Sequence, residues 1–127
     1  MHHCMRLIGA GQRCLELACQ RVEDRETFGK KLSQHQSIRE NIAKSYAELE
    51  MARLLVHKTC WHIDHHGVKP SIELISATKI SVPLMIQAII DRCMQMHGAG
   101  GLTEDWCMAE QFNYARWCRQ ADGPDAV

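Results

Sequence analysis

The sequence predicts an all-α protein: one domain over residues 1–127, folded as an antiparallel up-and-down four-helix bundle. Three observations predict it. Apolar residues recur at three- and four-residue steps over long stretches, which is the period of a half-buried helix. No convincing stretch of strict apolar–polar alternation argues for a strand. Breakers are sparse and clustered, with three prolines in all and a knot of glycines at 98–101, so the segments between them are long. Short connections between long helices place sequence neighbours antiparallel.

Taken in order, Leu7, Ile8, Gly11, Leu15, Ala18 and Val22 make a stripe that predicts a first helix to about Asp24. Phe28-Gly29 interrupts it. A second helix is expected from about His35 to His65, with Ile38, Ile42, Tyr46, Leu49, Ala52, Val56, Cys60 and Ile63 inward. Its length, roughly 45 Å at 1.5 Å per residue, suits a long bundle. Gly67-Val68-Lys69-Pro70 turns the chain. A third helix follows from about Ser71 to His97, with Ile72, Ile75, Ile80, Leu84, Ala88 and Ile89 inward and Pro83 expected to bend it. A fourth covers about Thr103 to Gln120, with Thr103 as N-cap and Glu104 and Asp105 in the electropositive first turn. Asp122-Gly123-Pro124 stops it.

Composition narrows the partners. Fifteen basic and fifteen acidic residues cancel, so no basic excess points to nucleic acid. No unbroken apolar run approaches the roughly 20 residues of a membrane span. The seven cysteines are odd in number, form no CxxC pair and fall mostly among helical apolar residues. They read as reduced, buried small hydrophobes of an intracellular or organelle-matrix protein.

Three segments carry a family likeness. Arg25-Glu26-Thr27-Phe28-Gly29-Lys30 with Gln36 resembles an R-x-x-F-G-K…Q signature. Gln95-Met96-His97-Gly98-Ala99-Gly100-Gly101 resembles a Q-x-x-G-G-x-G turn. Ala115-Arg116 followed by Ala121-Asp122-Gly123-Pro124 falls where a catalytic Glu-Gly-Thr often stands. In this order and at this spacing they are similar to the C-terminal helical domain of the acyl-CoA dehydrogenases, in particular a subgroup of long multidomain members. The likeness covers nearly the whole chain. It implies that the chain starts inside the domain's first helix and that the domain's last helix lies after Val127.

The resemblance implies the chemistry. Acyl-CoA is oxidised to trans-2-enoyl-CoA: a carboxylate takes the α-proton and the β-hydrogen leaves as hydride to FAD. Asp122 is then the catalytic residue, a carboxylate one methylene shorter than glutamate, and burial would have to raise its pKa. A turn aspartate in an Asp-Gly-Pro loop reads the same. Arg25, Thr27, Phe28, Gln36, Gln95, Gly98, Ala99 and Gly100 are the implied cofactor contacts. A guanidinium is a permanent bidentate phosphate donor, and glycine lets backbone amides approach a ligand closely. A solvated arginine at a helix end, a loop phenylalanine plugging the bundle, a helix-start glutamine and a plain C-cap turn remain the structural alternatives. Implied partners are acyl-CoA, neighbouring subunits of a homodimer or homotetramer, and electron-transfer flavoprotein or oxygen as acceptor. Implied locations are the mitochondrial matrix or peroxisome in a eukaryote and the cytoplasm in a bacterium.

No metal site is expected. His62 and His66 are four apart, but no third ligand is fixed beside them and a histidine-rich helix end accounts for them. Trp61, Trp106 and Trp117 read as core or interface anchors. The contrasting functional class is a catalytically inert helical oligomerisation module. A free-standing di-iron bundle would need inward Glu-x-x-His pairs, which are absent.

Overall fold

The computed structural model describes residues 1–126. Its order is α1 (His2–Asp24), β1 (Glu26–Thr27), β2 (Lys30–Lys31), a 3-10 turn (Leu32–Gln34), α2 (Gln36–His66), a second 3-10 turn (Lys69–Ser71), α3 (Ile72–His97), a third (Gly98–Leu102), and α4 (Met108–Cys118). The all-α, four-helix expectation holds.

Side-chain contacts fix the helix directions. Cys4 Sγ reaches the Thr78 carbonyl, and the space above Gly11 is filled by Ile86. Arg21 lies near His97. These pairs rise together in sequence, so α1 and α3 run parallel. Thr59 bonds Thr78 and Arg92 bonds Ser45, so α2 runs antiparallel to α3. Trp106 meets His97, Cys107 lies beside Cys14 and Tyr114 meets His3, so α4 runs antiparallel to both. This is the up-down-up-down bundle, with α3 touching all three other helices.

The α1 stripe is buried as the periodicity predicts, with Cys4 and Cys14 joining it. The other helices differ. On α2 the buried set is Ser45, Leu49, Ala52, Val56 and Thr59, while Tyr46 is exposed. Polar residues can occupy that stripe because each finds a partner: Arg92 Nε donates to Ser45 Oγ at 2.9 Å, and the Thr59 and Thr78 hydroxyls lie 2.7 Å apart. On α3 the inward residues include Thr78, Val82, Ile86, Ile89, Ile90, Cys93 and Met96. Of the expected set Ile89 is buried, whereas Ile72, Ile80 and Leu84 are exposed. A helix apolar around most of its girth gives periodicity no face to choose. Pro83 is buried within α3, which continues through it.

That girth has a second consequence. From Lys69 to Leu102 the segment is long and apolar enough, by length and composition, to cross a membrane, with mean hydropathy 1.4 over 18 residues. A search for an unbroken run overlooks it because polar residues are scattered through it. In this fold α3 is the central helix of the bundle.

Two local expectations fail. The chain between α1 and α2 forms a small antiparallel hairpin, with Glu26 opposite Lys31 and Thr27 opposite Lys30. Also, α4 starts at Met108 rather than Thr103. The Thr103 hydroxyl donates back to the Gly100 carbonyl at 2.8 Å, with Asp105 Oδ2 at 3.2 Å, closing a turn instead of capping a helix. Trp106 turns inward against the His97 ring, at 4.8 Å between centroids.

The seven cysteines are free thiols. Burial pushes the Cys93 thiol up to about 12 and pushes Cys14 higher still, so both stay protonated and inert.

Candidate functional site

The candidate residues gather at opposite ends of the bundle. Because α1 and α3 are parallel, their C-terminal ends lie together. The hairpin after α1 (Arg25, Thr27, Phe28, with Gln36 just beyond) and the turn after α3 (Gln95, Gly98, Ala99, Gly100) therefore share one end. Asp122 follows α4, which runs the other way, so it lies at the far end beside His3. The length of α1 separates the ends by about 33 Å.

At the first end, the two-residue loop Phe28-Gly29 has positive φ at both positions, 53° and 76°. That is the conformation of a type I′ turn, whose twist matches the flanking strands. Glycine adopts it freely; a bulky aromatic does so only under strain. Phe28 is also 98% exposed. An aromatic ring held in a strained turn and left wholly in solvent adds no packing to this fold. Arg25 is exposed, and no hydrogen bond or ion pair engages its side chain among the described residues. Thr27 Oγ1 lies 3.5 Å from His35 Nε2, and Gln36 Nε2 donates to Glu40 at 2.8 Å.

Across from the hairpin, Gly98 ends α3 at φ 64°, and a Cβ there would meet open space. Gly101 serves a different purpose: its Cβ would sit 2.7 Å from the Met94 carbonyl oxygen, so packing requires glycine. Gln95, Gly98 and Ala99 are exposed and border a shallow cavity of about 350 Å³ with Asp91, Met94 and Leu102. Beneath this turn the His97 ring is buried. Its Nδ1 bonds the Cys93 carbonyl at 2.9 Å, while Nε2 has no partner among the described residues. Burial, with the nearby Arg21 adding to it against the Cys93 bond, holds this imidazole below its ordinary pKa and keeps it neutral.

At the second end, Asp122 takes φ 56°, a left-handed conformation aspartate tolerates. The loop around it is braced on three sides. Lys79 of α3 donates to the Gly123 carbonyl at 3.0 Å. Arg119 pairs with Asp125 at 2.6 Å and also reaches Gln87. That hydrogen bond holds the Asp125 carboxyl below its usual range. His3 of α1 places Nε2 3.3 Å from Asp122 Oδ2, and its Nδ1 lies 3.2 Å from the Tyr114 hydroxyl. Trp117 stacks on Tyr114 and meets the His3 ring edge-on. The Asp122 side chain is 75% exposed, so this domain by itself does not bury the carboxylate.

Sequence reasoning missed His3, Tyr114, Lys79 and Arg119. No local pattern marks them, because the chain brings His3 to Asp122 only through the whole bundle. Of the tryptophans, Trp106 packs against the core, while Trp61 and Trp117 are about half exposed. His62 and His66 lie with ring centroids 4.4 Å apart, but His62 Nδ1 is engaged by Ser71 at 2.8 Å. No cluster of three metal-ligating side chains occurs among the described residues.

Comparison with known proteins accords with this arrangement. The family model described as "Acyl-CoA dehydrogenase, C-terminal domain" matches residues 1–127. Acyl-CoA dehydrogenase family member 11 of Gallus gallus is 43% identical over the whole chain, which spans 16% of that protein's length. A solved structure from Mycobacterium abscessus, assigned to the acyl-CoA dehydrogenases, is 42% identical with a TM-score of 0.97 over 99% of this chain and 31% of its own. A glutaryl-CoA dehydrogenase from Mycobacterium smegmatis, solved with FADH2, is 27% identical with a TM-score of 0.90 over 98% of this chain and 32% of its own. The chain belongs to the acyl-CoA dehydrogenase family, of which it is the C-terminal helical domain.

Proposed function

We propose that this domain is one wall of an FAD site in an enzyme that oxidises acyl-CoA to trans-2-enoyl-CoA. The observation that carries the reading is Phe28, a fully exposed aromatic in a strained turn, set beside a free guanidinium and across from an open glycine turn. The donors suit the group. Arg25 is a permanent phosphate-binding cation. Gln95 offers an amide, and the turn at Gly98, Ala99 and Gly100 carries no bulky side chain of its own, so a ligand can approach its backbone closely, although the Gly98 N–H itself is taken by the Gln95 carbonyl. Thr27 and Gln36 flank them. The glutaryl-CoA dehydrogenase relative supports the cofactor, because its structure carries FADH2.

When bound, FAD supplies the hydride acceptor for the β-hydrogen. This chain's part in the chemistry is Asp122, which takes the α-proton of the thioester. Substrate and further protein would cover this carboxylate and exclude water from it. The separation of the two ends means that Arg25 and Asp122 of one chain do not meet at the same reacting centre. Each end serves a different flavin, which favours a homodimer or homotetramer. Exposed Tyr46, Leu54 and Trp61 on α2 and Ile80 and Leu84 on α3 provide apolar surface for such assembly. Electron-transfer flavoprotein or oxygen is the acceptor this reading entails. The same apolar faces favour the second reading, an inert oligomerisation module.

The test uses the full-length enzyme. Arg25→Ala is expected to lose flavin on dialysis, read as absorbance at about 450 nm, while Asp122→Asn keeps flavin but turns over at least about a hundredfold slower, the usual worth of a positioned base. Flavin retention by the first variant removes the hairpin from the cofactor site. Near-normal turnover by the second removes Asp122 from the role of base.

A further inference from the structure

His3 is not explained by cofactor binding or by the core, and Tyr114, which packs against the core, turns its hydroxyl toward His3. His3 is the third residue of the chain, partly exposed, on the face of α1 that meets the end of α4. It makes two polar contacts with its two ring nitrogens: Tyr114 at Nδ1 and Asp122 at Nε2. Trp117 packs against the edge of the same ring at 5.5 Å between centroids, so the imidazole is held in position as well as bonded.

The chemistry sets the direction of the Tyr114–His3 hydrogen bond. Burial, first among the influences on it, pushes the Tyr114 phenol above its ordinary value, so it keeps its proton. A phenol that donates to Nδ1 leaves the imidazole proton on Nε2, because a neutral imidazole has one donor and one acceptor nitrogen. Nε2–H then stands on the side of Asp122, with Nε2 at an ion-pair distance of 3.3 Å from Oδ2. An imidazole whose tautomer is set by a bond at the other nitrogen is a recurrent way of orienting a reacting group.

We propose that His3, with its tautomer set by Tyr114, is the positioning residue that aims the Asp122 carboxylate. The inference rests on the reading of Asp122 as the base. An imidazole 3.3 Å from Oδ2 draws that oxygen to itself and leaves Oδ1 to take the proton. The need is specific to this site. An aspartate in a left-handed turn with a largely exposed side chain is otherwise free to rotate. Lys79 and the Arg119–Asp125 pair brace the loop backbone, and His3 acts on the carboxylate itself. A shorter carboxylate has less reach to correct a misplaced approach, and a displacement of about 1 Å at a reacting group can cost a hundredfold.

The test compares His3→Leu with His3→Gln in the full-length enzyme, because the glutamine amide nitrogen sits near the place of Nε2 and can still donate. The expected result is a kcat for His3→Leu at least about tenfold below that of His3→Gln, with KM for acyl-CoA within about twofold between them. Equal kcat values overturn the proposal, and so does a loss that appears in KM alone. Asp122→Asn separates the two claims. If it turns over slowly while the His3 variants are alike, the base stands and the positioning role fails. If it turns over normally, the base fails and the positioning role with it. A readout independent of turnover is the 15N spectrum of ring-labelled histidine in the folded wild-type enzyme and in Tyr114→Phe. Protonation of His3 at Nε2 in the wild type, with tautomer mixing in Tyr114→Phe, supports the relay. A wild-type proton at Nδ1 overturns it, and so does an unchanged spectrum in the variant. This measurement decides the matter even where His3→Leu folds poorly.

Discussion

Replacing His97 with phenylalanine should stabilise this domain and remove part of its acid sensitivity. The imidazole is 4% exposed, its Nδ1 is bonded to the Cys93 carbonyl, and its Nε2 is buried without a partner among the described residues. Leaving a buried polar atom unsatisfied costs about 1–3 kcal/mol, and the bond to Cys93 returns about 0.5–1.5 kcal/mol. Phenylalanine gives up both and keeps an aromatic ring beside Trp106. The net gain at pH 7.5 is therefore about 1 kcal/mol, a rise of about 4 °C in melting temperature for a domain of this size. The pH dependence adds a second signature. Burial holds the folded-state pKa below the ordinary 6.5, so the unfolded chain binds the extra proton first as pH falls. Stability is thus present above the unfolded value and is lost as pH drops below it. Between pH 7.5 and 5.5 the advantage of the variant should widen by up to about 1.4 kcal/mol, the limit for an imidazole that stays neutral when folded. Urea unfolding at both pH values, followed by circular dichroism, measures this. A variant less stable than wild type at pH 7.5, or a constant difference between the two pH values, would refute the reasoning.

Two further substitutions probe the bundle. Gly101→Ala should lower stability by at least about 2 kcal/mol, because its Cβ would lie 2.7 Å and 2.9 Å from backbone atoms of Met94 that cannot swing aside; an unchanged melting temperature contradicts the packing described. Arg92 bonds Ser45 and pairs with Glu48, both partners of the pair being mostly buried. Arg92→Leu should cost about 3 kcal/mol by stranding a carboxylate, and Arg92→Leu/Glu48→Leu should recover more than half of that loss. Equal losses in the single and double variants, measured by denaturant unfolding, would show that the ion pair is not the cause.

Much of the fold was legible because α1 is strongly two-faced. Its stripe of Leu7, Ile8, Gly11, Leu15, Ala18 and Val22 is buried as read. The faces of α2 and α3 were not legible. Ser45, Thr59 and Thr78 go inward because they satisfy one another or Arg92 across the interface, and a residue's own type does not disclose its partner. Two-residue strands are too short to show alternation, so the hairpin at Glu26–Lys31 leaves no periodic signal, and Phe28-Gly29 reads in sequence as a break rather than as a type I′ turn. The start of α4 was misplaced because Thr103 has the chemistry of an N-cap and uses it to close the preceding turn.

By itself, the sequence determined the helix count, the approximate helix limits and the family likeness, since periodicity, breakers and short motifs are local properties of a chain. The tertiary structure alone decided which ends those motifs occupy. Parallel packing of α1 and α3 unites Arg25 and Phe28 with Gln95 and Gly98, and antiparallel packing of α4 sends Asp122 to the other end, against His3. Residues more than a hundred positions apart meet there because burying apolar helix faces sets the direction of each helix, and no local pattern carries that information.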